Sequence, residues 1–285
     1  MKLLLLFAVT LRLFLLMGTE ARARLYNDTT PDMSKQRYVV SIQEIINDNM
    51  DSKHLCGGAI IDKFYVLTAA HCVIGFQANE LLVRTGQVDE LDDPVFHTVA
   101  KYMYLETYYN SSYRSHEKDI AILKVDSGFH MTYDVIYQKV HLPNYDIDYD
   151  DRPVVFSGFG AEKYEITINK TSNETTSSFL FPKQLKYFES KILPIEECKV
   201  KMPITVNNDH ICTNPEASNG ISCVGDGGGP LVYTGNNGDI VIGIRIQHRE
   251  CSEELPEVFT RVSSYMWFID RVLHHIPSLD IATVY

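Results

Sequence analysis

Three stretches of the chain contain residue types that could cleave a bond if the fold brought them together. Residues 67–72 read Leu-Thr-Ala-Ala-His-Cys and include His71, and residues 118–123 read Lys-Asp-Ile-Ala-Ile-Leu and include Asp119. Residues 223–230 read Cys-Val-Gly-Asp-Gly-Gly-Gly-Pro. A hydroxyl is a weak nucleophile at neutral pH, so enzymes that use one place a base beside it and a third group that orients the base. A histidine and an aspartate are suited to the second and third of these roles.

These motifs resemble those of the chymotrypsin/trypsin family of secreted serine endopeptidases. Residues 56–58 add a Cys-Gly-Gly sequence ahead of the histidine, and the similarity runs from about residue 25 to residue 276. One motif could occur by chance, whereas three in the family's order, with cysteines at matching places, make the resemblance strong. It implies an all-β fold of two six-stranded antiparallel β-barrels with a C-terminal α-helix and a catalytic cleft between the barrels. It also implies a base at His71 and its orienting carboxylate at Asp119.

The nucleophile of the family is missing from this chain. The family's loop reads Gly-Asp-Ser-Gly-Gly-Pro, and Gly227 stands where the serine would be. Glycine has no side-chain oxygen, so we expect His71 and Asp119 to be remnants that satisfy each other as a buried polar pair. Ser222 matches a position that lines the specificity pocket, and we do not expect it to replace the nucleophile. The backbone N–H groups of Gly225 and Gly227 could still form an oxyanion hole, with residual catalysis of roughly 10³–10⁴ over water.

The specificity pocket also departs from the family pattern. Ile221 stands at the pocket floor, where trypsins carry an acid, and Glu257 replaces a glycine of the pocket wall. The family's Ser-Trp-Gly segment, which pairs with a substrate backbone, reads Ile-Gln-His here and ends with Gln247 and His248. We expect the glutamate to fill or charge the pocket. Together these changes argue against cleavage after Arg or Lys.

The activation site is altered as well. Family zymogens are cut before Ile-Val-Gly-Gly, and the new amino group pairs with the acid that precedes the nucleophile. Residues 24–28, Arg-Leu-Tyr-Asn-Asp, fall at that site, so the basic residue is kept and both glycines are lost. The receiving acid, Asp226, is present, and a buried carboxylate without a partner is costly. The sequence leaves open whether the chain is cut after Arg24 and whether the cleft is ordered or zymogen-like.

Residues 1–23 are predicted to be a secretory signal peptide. Lys2 precedes an apolar run over residues 3–17, interrupted by Arg12, and residues 21–23 form the small-x-small cleavage site Ala-Arg-Ala. A membrane anchor is the alternative. It is disfavoured because the run is shorter than the roughly 20 apolar residues that a spanning helix needs. We therefore expect a secreted, extracellular protein that does not associate with a membrane.

Secretion would favour disulfides among the six cysteines, although free thiols or a metal site are alternatives. No Cys-x-x-Cys pair occurs, so a zinc site is not expected. The family resemblance implies the pairs Cys56–Cys72, Cys198–Cys212 and Cys223–Cys251. N-linked glycosylation is predicted at four Asn-x-Ser/Thr sequons, which begin at Asn27, Asn110, Asn169 and Asn173.

Strand-like runs of β-branched and aromatic residues recur along the chain with turn-forming residues between them, as in all-β sandwiches and barrels. A protease domain is expected over 25–277, with the first barrel at about 25–143 and the second at about 153–277. Residues 162–178 are polar and carry two sequons, and we predict a long exposed loop there. Residues 263–276 show helical spacing of apolar residues and predict an amphipathic helix.

The formal net charge of −11 argues against a nucleic-acid partner. The acidic tract at residues 89–93 lies where some family members bind calcium, an ion that prefers oxygen ligands. A solvated surface loop is the favoured interpretation, and we expect no cofactor and no bound metal.

The favoured hypothesis is a secreted serine protease homologue that is not an enzyme and acts by binding extracellular proteins. Active serine proteases or their inhibitors are the partners that the resemblance implies, with a role in regulating proteases or immunity. The alternative is a serine-type endopeptidase with an atypical mechanism and specificity. A third hypothesis is a purely structural extracellular glycoprotein.

Overall fold

The computed structural model describes residues 36–86, 93–109, 117–130, 137–144, 147–169, 174–218, 220, 222–235, 238–246 and 255–285. Most of its secondary structure is antiparallel strand, as the recurring β-branched runs predicted. No helix in these ranges combines the length and the apolar character that crossing a lipid bilayer would require.

Six strands close the first barrel. They are β1 (Val39–Ile45), β2 (Ser52–Asp62), β3 (Tyr65–Thr68), β4 (Leu81–Thr85), β5 (Val95–Leu105) and β6 (Ala121–Val125). Strand β1 pairs with β2 and β4, and β5 closes the barrel by pairing with both β4 and β6. Val40 and Ile42 of β1 are fully buried, in a core that continues through β3 and β6.

The second barrel follows in the chain, and a separate two-stranded sheet lies within the same part of the sequence. The strands in this part are β7 (Pro153–Gly158), β8 (Lys163–Asn169), β9 (Glu174–Leu180), β10 (Lys186–Leu193), β11 (His210–Thr213), β12 (Pro230–Gly235), β13 (Gly238–Arg245) and β14 (Glu257–Arg261). The closed barrel has the order β10-β11-β14-β13-β12-β7. Its core includes Phe156, whose ring lies 5.2 Å from that of Phe188 and 5.7 Å from that of Phe259.

The prediction of a long loop at residues 162–178 was wrong. Strands β8 and β9 form a regular two-stranded antiparallel ribbon, from the pair Lys163–Leu180 to the pair Asn169–Glu174. The segment is polar, but Ile and Thr recur in it, and these β-branched residues favour the extended backbone. Sequons indicate exposure, and in a ribbon of two strands the backbone groups that do not face the partner strand can bond to water.

Within the described ranges, three short α-helices accompany the strands: α1 (Glu106–Tyr109), α2 (Ile195–Lys201) and α3 (Met266–Leu273). Helix α3 is the predicted C-terminal helix, and it buries Phe268 and Ile269. It is shorter than predicted. A 3-10 turn at Val262–Tyr265 precedes it, and His275, with φ of 57°, adopts the left-handed conformation that commonly ends a helix.

After α3 the chain returns to the first barrel. Strand β15 (Ile281–Val284) pairs antiparallel with residues 102–105 of β5 and extends that sheet to seven strands. The predicted protease domain ended at residue 277, and this strand was not predicted from the sequence. The domain boundaries themselves stay predictions.

Candidate functional site

Neighbouring strands of the first barrel bring His71 and Asp119 together. His71 lies in a 3-10 turn directly after β3, and Asp119 lies just before β6, which pairs with β3 through Thr68 and Ala121. Nδ1 of His71 donates to Oδ2 of Asp119 at 2.7 Å, and the backbone N–H of His71 donates to Oδ1 at 2.9 Å. Asp119 is fully buried. This double contact fixes the imidazole and directs Nε2 away from the carboxylate.

The second barrel and the C-terminal segment support the same aspartate. The hydroxyl of Thr260, on β14, donates to the backbone carbonyl of Asp119 at 2.9 Å. The backbone N–H of Lys118 donates to the hydroxyl of Tyr265 at 3.1 Å, and Lys118 has φ of 62°. The base and its orienting group are therefore held in place by both halves of the molecule.

Gly227 lies against the free side of the imidazole. A Cβ atom built on Gly227 would lie 2.4 Å from Nε2 of His71. That nitrogen also lies 3.4 Å from Sγ of Cys72 and 4.0 Å from Sγ of Cys56. Among the hydrogen-bond partners that the described residues give to this ring, none is a hydroxyl or a free thiol. In the described part of the chain, the base faces a disulfide and a glycine rather than a nucleophile.

His54 holds the loop that precedes Gly227. Its Nε2 donates to the carbonyl of Gly225 at 2.9 Å, and its Nδ1 accepts from the hydroxyl of Ser41 at 2.6 Å. Burial lowers the pKa of His54 to about 4, so the ring is neutral at pH 7. Gly225 has φ of 92°, which favours glycine at this position. His54 was not predicted as a site residue, although its place two residues before the Cys-Gly-Gly motif could have indicated it.

The glutamate predicted in the specificity pocket has an ionic partner that the sequence analysis missed. Oε2 of Glu257 lies 2.6 Å from Nη2 of Arg245. The fully buried Ser222 donates its hydroxyl to Oε2 at 2.6 Å and its backbone N–H to Oε1 at 3.0 Å, and its hydroxyl accepts from Nε of Arg245. Nη1 of Arg245 donates to the carbonyl of Ile246 at 2.7 Å. Glu257 is therefore part of a buried hydrogen-bond network in which its negative charge is balanced by the positive charge of Arg245.

Three other pocket residues predicted from the sequence, Ile221, Gln247 and His248, lie outside the described residues. Of the residues predicted to line the pocket, Glu257 and Ser222 can be described, and both belong to the network with Arg245. Arg245 and Glu257 are each more than nine-tenths buried. A substrate side chain that entered along these residues would have to displace a desolvated ion pair, which is strongly unfavourable.

Asp226, the acid before Gly227, is completely buried. Its Oδ1 accepts from the backbone N–H of Gly160 at 2.9 Å and its Oδ2 from that of Cys223 at 2.7 Å. A Cβ atom on Gly158 or Gly160 would come within 2.2 Å of this carboxyl group, so both glycines are needed for its approach. Burial raises the pKa of Asp226 to about 7, although both backbone N–H groups and Arg245 act to lower it. Residues 24–28, the predicted activation site, lie outside the described residues.

Two of the disulfides implied by the family resemblance are present, Cys56–Cys72 and Cys198–Cys212. Cys223 is also disulfide-bonded, and its expected partner Cys251 lies outside the described residues. The first bridge flanks His71, and both of its sulfurs are consumed in the bond, so this His-Cys-Cys group is not a metal site.

The remaining predicted sites fall mostly outside the described residues. Asn169 is the last residue of β8. The sequons at Asn27, Asn110 and Asn173, the signal segment and most of the acidic tract at 89–93 are not described, so they stay predictions.

Comparison with known proteins agrees with this geometry. The trypsin family model matches residues 27–269. Chymotrypsin-2 of Vespa crabro is 32% identical over 221 residues, which cover 77% of this chain and 89% of that protein. The two closed six-stranded antiparallel barrels and the short C-terminal helix are the architecture of trypsin-like folds. The chain belongs to the trypsin family.

Proposed function

We propose that this protein is a secreted, non-catalytic member of the trypsin family that acts by binding other extracellular proteins. The observation that carries the proposal is Gly227, which stands at the nucleophile position against Nε2 of His71. A base and its orienting carboxylate accelerate acyl transfer by activating a hydroxyl or thiol. Here they have no such group to deprotonate among the described residues.

The buried ion pair of Arg245 and Glu257 supports the same proposal and indicates which class of partner to expect. Glu257 stands at the position predicted to be the wall of the specificity pocket, so the pair would fill part of that pocket. An inhibitor that recognises a protease by inserting a side chain into this pocket would meet the ion pair. Active serine proteases and other extracellular proteins, bound outside the pocket, are therefore better supported as partners than inhibitors are. Regulation of such proteases, including those of immunity, is the role that follows.

Secretion is supported by the disulfides, which persist in oxidising compartments. The basic and apolar start of the sequence, followed by Ala-Arg-Ala at residues 21–23, supports a removed signal peptide. Secretion is tested by expressing the full chain in a eukaryotic cell that secretes proteins and sequencing the N-terminus of the protein recovered from the medium. A mature chain that begins near residue 24 is the expected result.

Catalysis is tested with the mature protein, before and after cleavage at Arg24, against a library of fluorogenic peptides and a fluorophosphonate probe for activated serines. Active chymotrypsin is the positive control. We expect neither labelling nor hydrolysis above that of His71→Ala. The alternative, an endopeptidase with an atypical mechanism, has the intact pair of His71 and Asp119 in its favour, and activity abolished by His71→Ala would establish it.

Binding is tested by adding the mature protein to a panel of active serine proteases from the extracellular fluid into which the protein is secreted. The readouts are complex formation by light scattering and the rate of hydrolysis by each protease. A complex that forms equally well with the His71→Ala variant would support a role that needs no chemistry. Absence of any complex across the panel would favour a structural glycoprotein.

A further inference from the structure

The disulfide Cys56–Cys72 lies directly beside the imidazole of His71. Nε2 of this ring lies 3.4 Å from Sγ of Cys72 and 4.0 Å from Sγ of Cys56. The other ring nitrogen is bonded to Asp119 at 2.7 Å, which keeps Nε2 turned towards the two sulfurs. A group that can give or take a proton is therefore fixed next to a disulfide bond.

Both sulfurs of this bridge lie against glycines. A Cβ atom on Gly227 would lie 3.5 Å from Sγ of Cys56, and one on Gly228 would lie 3.1 Å from Sγ of Cys72. A side chain at residue 227 would therefore stand in contact with the Cys56 sulfur, and glycine provides no such cover. The two cysteines are only 4% and 1% exposed, so a reagent that reaches the bridge has to pass close to this glycine and the imidazole.

Thiol–disulfide exchange is the reaction that these groups can support. In this reaction a thiolate attacks one sulfur of a disulfide and the other sulfur leaves as a thiolate, so no oxidant or reductant is consumed. The exchange is faster when the departing thiolate is stabilised, and a protonated imidazole beside it has that effect. Nε2 of His71 is closer to Cys72 than to Cys56, so Cys72 is the better leaving group.

We propose that Cys56 is a thiolation site, at which a small extracellular thiol of the glutathione class forms a mixed disulfide. The thiolate attacks Sγ of Cys56, the bond between the two cysteines breaks, and its electron pair stays on Sγ of Cys72. Protonated His71 then transfers its Nε2 proton to that sulfur, and Asp119 stabilises the imidazolium before the transfer. The proton that the attacking thiol released to water returns to His71, so the net reaction joins one thiol and releases another.

Thiolation at Cys56 goes beyond the proposed function and does not depend on it. It requires the fixed imidazole of His71 and the glycine at residue 227, and both belong to the described structure. A chain that bound no other protein would still undergo the exchange, and a chain that resisted it would still be able to bind a partner.

The exchange is tested by incubating the full secreted chain, folded and without denaturant, with excess reduced glutathione. Samples are quenched at intervals with N-ethylmaleimide, and peptide mass spectrometry locates both labels. We expect glutathione on Cys56 and N-ethylmaleimide on Cys72, formed at least about tenfold faster than any adduct at Cys198 or Cys212. The bridge Cys198–Cys212 is the internal control, because its cysteines are also buried and lie in an apolar cluster of the second barrel.

Substitution of His71 separates proton donation from a structural role. His71→Ala removes the donor and should slow the reaction at Cys56 about tenfold. A ring that served only to stabilise the fold would give the opposite result, because its loss would loosen the chain and speed the exchange at the bridge. His130→Ala, at an exposed histidine, is the matched control and should leave the rate unchanged.

Substitution of Gly227 tests the access to the sulfur. Gly227→Ala places a methyl group against Sγ of Cys56 and should slow the exchange several-fold, although it crowds the fold. Circular dichroism shows whether each variant folds, and the comparison of the two bridges in the parent chain decides the matter if one does not. Equal rates at the two bridges, glutathione on Cys72 instead of Cys56, no adduct at all, or faster thiolation in folded His71→Ala would overturn the proposal.

Discussion

The Cβ atom of any side chain at residue 227 would lie 2.4 Å from Nε2 of His71, closer than the 3.0 Å below which such contacts essentially never occur. The imidazole cannot shift freely to make room, because Asp119 holds its Nδ1 at 2.7 Å. Gly227 itself does not have a positive φ, so its backbone would accept another residue. The obstacle to a side chain here is the position of the base.

Restoring the serine therefore should not restore the enzyme. We expect Gly227→Ser to lower the free energy of unfolding by about 1–3 kcal/mol, the usual cost of overpacking. Hydrolysis of peptide substrates should stay at most weak, because the ion pair of Arg245 and Glu257 remains at the predicted specificity pocket. Urea unfolding and fluorogenic peptides measure the two effects. Gly227→Ala adds the same Cβ without a hydroxyl and should cost as much stability, and trypsin-like rates in Gly227→Ser would contradict the pocket interpretation.

The pocket ion pair gives a second prediction. Glu257→Ala leaves the guanidinium of Arg245 buried without its carboxylate, and we expect it to cost about 3–5 kcal/mol of stability. The double change Arg245→Met with Glu257→Ala should recover a large part of that loss, because it removes both buried charges. A double-mutant cycle by denaturant unfolding measures the coupling.

The exposed pair of Lys201 and Glu216 supplies the control for that cycle. Its atoms lie 3.7 Å apart and the glutamate side chain is 81% exposed. Glu216→Ala should therefore change the stability by less than about 1 kcal/mol. Similar losses from Glu216→Ala and Glu257→Ala would mean that the pocket pair is solvated.

Asp226 predicts a particular dependence of stability on pH. Burial raises its pKa from 3.8 to about 7, so between these values the folded chain holds a proton that the unfolded chain releases. This carboxyl group therefore favours folding fully below about pH 4, and its contribution is lost as the pH rises to about 7. Asp226→Asn removes the effect, and the stability of the parent relative to this variant should fall on the order of 4 kcal/mol across the window.

The comparison with the variant is needed because His54 acts in the opposite direction. Burial lowers its pKa to about 4, so its contribution to stability is lost as the pH falls from about 6.5 to about 4. Both chains contain His54, and its effect cancels in their difference. Guanidinium unfolding at several pH values between 4 and 8 measures that difference, and a flat difference would contradict a raised pKa at Asp226.

His71 is predicted to contribute stability rather than chemistry. His71→Ala removes the ring that caps the buried carboxylate of Asp119 and should cost about 1–3 kcal/mol, as for other buried acceptors that lose a donor. Thermal and urea unfolding measure the loss. The exposed His130 gives a matched control, since His130→Ala should be nearly neutral. Equal stability of the two variants would show that the pair with Asp119 is not structural.

The short strands could be predicted because their pattern is local, and the two barrels were predicted because the motifs resemble those of a known family. The strand-like runs at residues 65–68 and 120–125 form neighbouring strands, and this pairing delivers His71 and Asp119 to one place. Two elements could not be predicted in this way. The pairing of β8 with β9 was not predicted because both strands are polar in composition. Strand β15 pairs with a strand nearly 180 residues earlier in the chain, and local periodicity carries no signal for such a contact.

The sequence by itself determined that residue 227 has no nucleophile and that residue 257, at the predicted pocket wall, is a glutamate, because the chemistry of a side chain is fixed by its residue type. Only the tertiary structure decided what surrounds these positions. It set the imidazole of His71 against Gly227 and paired Arg245 with Glu257. These contacts depend on how the barrels close and pack, which the sequence does not state. Burial at Glu257 makes its charge dependent on a partner, and the fold supplies Arg245 as that partner.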